Sequence, residues 1–187
     1  MKRMLGSTIM ILAMVAADAT DASAQMGGFM GYLTGHVGSL VGGDLDGPSA
    51  AIGASVAVHD DTGWGAEFDL GHSSGAEADN EVLDITSYTF NAIWTRPFGF
   101  VRPFGTAGGG IFQVRGCDAT CGRSVRTYDF GLSAGGGVFA ELNDAFAVRA
   151  DARYFFSSAD HADLRRPDNL NFWRLSFGAT YMWSIAP

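Results

Sequence analysis

The sequence predicts an all-β protein, an eight-stranded antiparallel up-and-down β-barrel that crosses a membrane with its strands. Three observations support this fold class. Of 187 residues, 26 are glycine and only 17% are charged, against roughly 7% glycine and about 25% charged residues in soluble domains. Apolar residues alternate with polar or small ones, which is typical of strands between two environments. The connections alternate between short and long, as in membrane barrels.

Composition and charge also exclude several classes of protein. Twelve basic and 20 acidic residues give a net charge of −8, and Lys2 is the only lysine. The basic residues form no stripe, which argues against nucleic acid as a partner. The apolar content of 47% argues against a disordered chain. We therefore expect one folded domain with few water-facing positions.

The N-terminus has the pattern of a secretory signal peptide. Basic residues precede an apolar run at 9–17, which is followed by the small residues of 22–24. We expect residues 1–24 to be removed and residues 25–187 to form the barrel domain outside the cytoplasm. An uncleaved anchor is the alternative, but the apolar run is too short to span a bilayer as a helix.

The first four predicted strands differ in clarity. Segment 31–41 is rich in glycine and leaves its facing open. In 52–58, aliphatic residues at even positions alternate with small ones. In 64–71, the even positions are aromatic or aliphatic, whereas the odd positions are glycine or acidic. In 86–95, mainly apolar even positions alternate with mainly polar odd positions. Each pattern predicts a strand with two unlike faces.

The last four predicted strands include the clearest alternation in the chain. Segment 102–114 is glycine-rich, and its facing is open. In 125–142 and 146–156, most even positions are apolar, and most odd positions are small, polar or charged. In 173–183 the apolar residues lie at odd positions. No helical periodicity competes with these patterns after the signal segment, so we count eight strands.

The connections between the strands fall into two classes. Short turns are predicted near 60–63, 96–100 and 143–145, and longer polar loops near 42–48, 73–81, 115–124 and 157–170. Because consecutive antiparallel strands reverse direction, all short turns lie at one end of the barrel and all long loops at the other. This arrangement is typical of membrane barrels with an even number of strands.

The charged positions indicate a narrow interior. On the polar faces, charges are interrupted by glycine, alanine and serine, which are too small to form a solvated coat. An eight-stranded barrel has an interior that side chains just fill, so we expect the charges to face inward and to pair. This predicted lumen cluster has five carboxylates and three guanidiniums: Glu67, Asp69, Asp129, Glu141, Arg149, Asp151, Arg153 and Arg174.

The aromatic residues predict two girdles, one at each membrane interface. At the short-turn ends we expect Trp64, Trp94, Phe104, Phe146 and Trp183, and at the long-loop ends Phe112, Tyr128, Phe156 and Trp173. The alternative is a set of aromatic residues that cap an ordinary β core. A core, however, would not place them at both rims with small aliphatic residues between.

Three stretches of this sequence, at 102–112, 130–156 and 172–183, resemble the small bacterial outer-membrane β-barrel family, which includes the eight-stranded OmpA-type, OmpX-type and Opa-type barrels. The resemblance covers essentially the whole mature chain and specifies an architecture. It implies a monomer in the bacterial outer membrane, surrounded by lipid and lipopolysaccharide, with long loops outside that can bind an extracellular partner.

The lumen cluster has two functional interpretations. We favour a salt-bridged plug in a protein with a structural or surface-interaction role. The alternative is a narrow pore, because ionisable residues at membrane depth are functional candidates. The excess of carboxylates in the predicted set would make such a pore prefer cations.

Cys117 and Cys121 are predicted to form a local disulfide in one long loop, because the exported chain meets an oxidising environment. A zinc site would need two further ligands, and a redox-active pair usually has two intervening residues. We therefore predict no metal and no other cofactor.

A second alternative function is a lipid A-modifying acyl esterase. His72 and Ser74 lie two residues apart at a strand end, with a spacing similar to that of small barrel deacylases, and Asp84 begins the outward face of the next strand. These residue types could form a nucleophile, a base and an orienting carboxylate. The favoured interpretation is an ordinary polar strand end, so we expect no enzymatic activity.

Overall fold

The computed structural model describes residues 28–78, 81–117, 124–158 and 169–185. The predicted signal peptide lies outside these ranges. Eight strands make up the fold: β1 Phe29–Val41, β2 Ser49–His59, β3 Trp64–Ala78, β4 Glu81–Thr95, β5 Val101–Cys117, β6 Ser124–Glu141, β7 Phe146–Ser158 and β8 Asn169–Ile185.

Each strand pairs antiparallel with the next, and β1 pairs with β8, so the sheet closes into a barrel of eight strands. The predicted all-β, up-and-down barrel is therefore confirmed. The closing register is continuous from Phe29 opposite Ile185 to Val41 opposite Trp173. Over the described ranges, no helix has the length and apolar character needed to cross a membrane.

Strands extend into two of the predicted long loops. β3 continues to Ala78 and β4 begins at Glu81, so little of 73–81 is a connection; β5 and β6 likewise extend into 115–124. A β-bulge between Ser73 and Ala76 explains the first difference. The extra residue, with Gly75 at φ 74°, moves the inward positions from odd to even. A strict period of two is therefore interrupted although the strand continues.

The structure also determines the facing of β1 and β5, which the glycine-rich sequence leaves open. Tyr32 and His36 of β1 are buried in the interior, whereas Leu33 is exposed. On β5, Phe104 and Phe112 are 6% and 1% exposed. These two residues lie inside the barrel and are not part of a girdle, so their assignment to the girdles is wrong. Because glycine occupies both faces of β5, its pattern could not show this orientation.

Two apolar layers fill the two ends of the interior. The upper apolar layer, at the long-loop end, includes Leu40, Leu45, Ala51, Ala76, Ala78, Leu83, Ile85, Phe112, Val114, Phe155 and Phe172. The lower apolar layer, at the short-turn end, includes Tyr32, Ala57, Ile93, Phe104, Phe139, Ala147 and Met182. The inward residues between them are mainly polar or charged. On β7, for example, Arg149, Asp151 and Arg153 separate Ala147 from Phe155.

The turn between β2 and β3 is fixed by Asp60. Its carboxylate accepts hydrogen bonds from the Thr62 hydroxyl at 2.7 Å and from the backbone N–H of Trp64 at 2.9 Å. The bond from Thr62 stabilises the ionised form and lowers the pKa of Asp60. Gly63 has a φ of 90°, which favours glycine in this turn.

Candidate functional site: the charged barrel interior

Six of the eight residues of the predicted lumen cluster lie together in the middle of the interior. Two carboxylates are on β3, the three charged residues of the Arg-Ala-Asp-Ala-Arg segment are on β7, and one arginine is on β8. All six are buried, because they occupy the inward positions of strands whose outward positions are apolar. We call them the central cluster: Glu67, Asp69, Arg149, Asp151, Arg153 and Arg174.

Glu67 joins the two arginines of β7 across the barrel. Its Oε1 accepts hydrogen bonds from Arg149 Nη1 at 2.7 Å and Arg153 Nη2 at 3.0 Å, and its Oε2 lies 2.8 Å from Arg153 Nη2. The Glu67 side chain is fully buried. Its charge is therefore compensated entirely by contacts within the interior.

Asp151 stabilises the same arginines from within β7. Arg149 Nε donates to its Oδ2 at 2.9 Å, and Arg153 Nε lies 3.5 Å from its Oδ1. The Ser176 hydroxyl on β8 donates to Oδ1 at 2.9 Å. Asp151 therefore fixes the arginine side chains that reach across to β3.

Asp69 extends the network to β8 and β1. Arg174 Nη2 donates to its Oδ2 at 3.0 Å, and Arg174 Nη1 lies 2.8 Å from its Oδ1. His36 Nε2 lies 3.3 Å from Oδ2, and Arg153 Nη1 lies 3.8 Å from the same atom. The central cluster thus connects strands that are far apart in sequence.

Aromatic rings cover the cluster on both sides. The Arg149 guanidinium lies 4.5 Å from the ring centroid of Phe104 and 5.1 Å from that of Phe139, both in the lower apolar layer. The Arg174 guanidinium lies 5.1 Å from the centroid of Phe155 in the upper layer. These distances permit cation–π attraction, so the charges are stabilised by rings as well as by carboxylates.

The other two predicted members occupy different places. Glu141 lies at the short-turn end, partly exposed, with its Oε1 2.7 Å from Arg102 Nη2. Arg102 also donates to the Tyr32 hydroxyl at 2.8 Å. Asp129 is buried on β6 opposite Phe112, towards the long-loop end. The central cluster therefore contains three carboxylates and three guanidiniums, without the acidic excess that the sequence suggested.

Several polar residues of the interior were missed by sequence reasoning. His36 was missed because the facing of β1 was open. Ser55 accepts a hydrogen bond from Arg149 Nη1 at 3.2 Å, and Ser133 donates to Asn91 at 2.7 Å. Their only signal in the sequence is their position on the polar face of a strand.

The residues of the esterase hypothesis do not form a hydrogen-bonded triad. His72 Nδ1 lies 2.9 Å from Thr86 Oγ1, and Asp84 Oδ1 accepts a long hydrogen bond of 3.4 Å from the Gly75 backbone. Both His72 and Ser74 face outward, and the β-bulge between Ser73 and Ala76 interrupts the strand register at this point. Within the described part of the chain, no hydrogen bond links His72 to Ser74 or to Asp84.

The remaining predicted girdle residues lie on the outer surface. Trp64 is 58% exposed and Tyr128 is 57% exposed. Trp94, Phe146, Phe156 and Trp173 are also exposed, and Trp183 is half-buried. The turns at the short-turn end add three further exposed apolar residues to this surface, Phe98, Phe100 and Leu142. The alternation in segment 125–142 already placed Leu142 on the apolar face, whereas Phe98 and Phe100 were missed because they lie in the short turn near 96–100.

The loop at 42–48 folds over the long-loop end of the interior. The Asp44 N–H donates to the Asn171 carbonyl at 2.9 Å, while the Asn171 N–H donates to the Asp44 carboxylate at 2.7 Å. The Asp46 N–H donates to the Glu77 carbonyl at 2.8 Å. These bonds tie the loop to β8 and β3 and place Leu45 in the upper apolar layer.

The predicted disulfide lies outside the described part of the chain, which includes neither Cys121 nor the side chain of Cys117. Among the residues that the structure does describe, no group of histidine, cysteine and acidic side chains is arranged to hold a metal ion.

Solved structures with a similar fold include three bacterial barrels. The Neisserial surface protein A has a TM-score of 0.63 and 14% identity, over 82% of this chain and 96% of that chain. The N-terminal β-barrel domain of OprF from Pseudomonas aeruginosa has a TM-score of 0.58 and 13% identity, over 82% of this chain and 97% of that chain. Ail, the attachment invasion locus protein of Yersinia pestis, has a TM-score of 0.57 and 18% identity, over 84% of this chain and 100% of that chain. At these identities the likeness shows the fold alone.

A comparison with curated protein sequences found no match. The family described as "Outer membrane protein beta-barrel domain" matches residues 7–182, nearly the whole chain. Together with the closed eight-stranded barrel, this match confirms the resemblance drawn from the sequence. The chain belongs to the outer membrane protein beta-barrel domain family, and its strands are the membrane-crossing strands of an outer-membrane barrel.

Proposed function

We propose that this protein is a non-conducting outer-membrane barrel, in which the charged interior is a structural plug and the long loops provide a surface-interaction role. The observation that supports this proposal is the central cluster, a balanced set of three carboxylates and three arginines that are almost completely inaccessible to solvent. A conducting lumen would need hydrated charges rather than charges paired with one another.

The two apolar layers also favour a plug over a pore. A hydrated ion on its way to the central cluster would have to pass the rings of Phe112, Phe155 and Phe172 at one end and those of Phe104 and Phe139 at the other. These rings offer no replacement for the water that the ion must lose, and that loss is costly. A narrow cation pore is therefore the less favoured alternative.

The same proposal includes the absence of catalysis and of a cofactor. In a catalytic triad, a carboxylate orients the histidine through one of its ring nitrogens. Here Nδ1 of His72 is hydrogen-bonded to the Thr86 hydroxyl, and the carboxylate of Asp84 accepts a hydrogen bond from the Gly75 backbone instead. A serine hydrolase needs its base within hydrogen-bonding reach of the nucleophile. The geometry therefore gives no support to the lipid A esterase.

The surface role is supported by the loop end and by one structural relative. Ail has been crystallised in complex with the heparin analogue sucrose octasulfate, a ligand that is a sulfated sugar. We expect the mature chain, after export and removal of residues 1–24, to lie as a monomer among outer-membrane lipid and lipopolysaccharide, with its long loops outside the cell.

Single-channel conductance tests the plug. In a planar bilayer, we expect the refolded wild-type barrel to be silent and the triple variant Arg153→Ala/Phe104→Ala/Phe155→Ala to conduct. The arginine truncation removes the guanidinium that lies within 4 Å of Glu67, Asp69 and Asp151, and the other two truncations remove one ring from each apolar layer. Arg96→Ala is the matched control, since Arg96 lies in an exposed turn, and should stay silent. A steady cation-selective conductance of the wild-type barrel would contradict the plug and support the pore.

A further inference from the structure

Two arginines face each other on the outer surface near the long-loop end. Arg115 of β5 and Arg126 of β6 are directly opposite in the strand register. Both are exposed, and each alternates along its strand with inward residues such as Val114 and Asp129. Residues directly opposite in antiparallel strands have Cβ atoms about 5 Å apart. The two guanidiniums can therefore reach the same small group.

This pair is unfavourable unless an anion accompanies it, because like charges directly opposite each other destabilise a sheet. Asp84 of β4 is opposite Arg115 in the register, but its carboxylate is directed to the Gly75 N–H. Among the described residues, no carboxylate lies within ion-pairing distance of either arginine. Arg126 Nη1 lies 3.5 Å from the Tyr128 hydroxyl, which does not neutralise its charge.

The position of the pair relative to the membrane suggests the source of the anion. On the outer face of β6, exposed Phe130 and Tyr128 precede Arg126 towards the loop end. On β5, Ile111 and Gln113 precede Arg115 in the same way. Arg126 is two residues beyond Tyr128, or about 7 Å along the strand. The arginines thus lie just beyond the interfacial aromatic level, at the depth of lipid headgroups.

We infer that Arg115 and Arg126 together bind a phosphate group of lipopolysaccharide in the outer leaflet. This inference rests on the proposed function, in which the long loops lie outside the cell. Guanidiniums form paired hydrogen bonds with phosphate oxygens, and one bridging phosphate compensates both charges. The aromatic residues below the pair contact the acyl chains of the same lipid.

Binding of lipid A to the refolded mature barrel in a maltoside detergent, whose headgroup carries no phosphate, tests this site, with native mass spectrometry as the readout. The probes are bisphosphorylated lipid A and the same lipid without phosphates. We expect the wild-type barrel to bind the phosphorylated lipid at least about tenfold more tightly, the factor expected from charge-assisted hydrogen bonds. The double variant Arg115→Gln/Arg126→Gln should lose this preference, whereas the matched control Arg96→Gln, at the other rim, should keep it.

Equal binding of the two lipids by the wild-type barrel, or an unchanged preference in the double variant, would overturn the inference. Sucrose octasulfate is a third probe. If the pair binds this soluble sulfated sugar but shows no preference for phosphorylated lipid A, the assignment to a lipid is wrong. Conductance of the same preparations separates the two proposals, because a conducting wild-type barrel with an intact lipid preference would contradict only the plug.

Discussion

At the residue scale, Glu67 is the carboxylate that holds two arginines of β7 from the opposite side of the barrel. Replacing Glu67 with glutamine keeps the shape of the side chain but removes its negative charge. The buried guanidiniums of Arg149 and Arg153 then lack part of their charge compensation. We expect Glu67→Gln to lower the free energy of unfolding by about 3 kcal/mol. Urea unfolding in lipid vesicles measures this change.

The control for Glu67→Gln is Glu77→Gln, because the Glu77 side chain is exposed. Its effect should stay within about 0.5 kcal/mol. Similar unfolding midpoints for both variants and the wild type would show that the ion pairs of the central cluster add nothing to stability.

The sequence indicates which way the charged residues of the site face but not which residues they contact. Glu67, Asp69 and the charged residues of β7 could be predicted to face inward, because each of them has an apolar residue on both sides in the sequence. Their partners could not be predicted, since contacts across the interior depend on the barrel's register. His36 contacts Asp69 at 3.3 Å, yet β1 has glycine on both faces and gave no orientation.

At the element scale, β5 needs glycine where it approaches β4 closely. A Cβ at Gly110 would collide with the backbone carbonyl oxygen of Tyr88, whereas a Cβ at Gly105, on the same strand, would have no atom within 4 Å. A backbone oxygen cannot move aside without disturbing the pairing of β4 and β5. Overpacking of this kind costs about 1 to 3 kcal/mol.

We therefore expect Gly110→Ala to lower the free energy of unfolding by about 2 kcal/mol and Gly105→Ala to leave it unchanged or slightly raised. The measurement is again urea unfolding in vesicles, supported by the gel migration of unboiled samples. If Gly110→Ala were as stable as Gly105→Ala, close approach of the strands would not explain the glycines of β5.

Elements also differ in how well their ends could be predicted. The number and order of strands followed from the alternation, but the outer part of the β3–β4 hairpin did not. The bulge between Ser73 and Ala76 reverses the parity, and a period of two cannot continue across an inserted residue. Beyond the bulge, Ala76, Ala78 and Leu83 are buried and belong to the upper apolar layer.

At the scale of the whole molecule, the tryptophans report how the barrel sits in the bilayer. All four lie at the rims of the outer surface: Trp64, Trp94 and Trp183 at the short-turn end and Trp173 at the long-loop end. Between the rims, the exposed residues of the outer surface include Leu33, Ile52, Phe68, Tyr88 and Phe90, and none of the four tryptophans lies there. The tryptophan signal should therefore come from the two interfaces and not from the middle of the bilayer.

We expect tryptophan fluorescence to be quenched more strongly by phospholipids brominated near the carbonyl end of the acyl chains than by phospholipids brominated at the chain terminus. Trp94→Phe and Trp173→Phe remove one reporter from each rim, and the depth preference should persist in both. Strongest quenching by terminal bromine would place the tryptophans at the bilayer centre. Quenching by aqueous iodide alone would place them in water, and either result would contradict the two girdles.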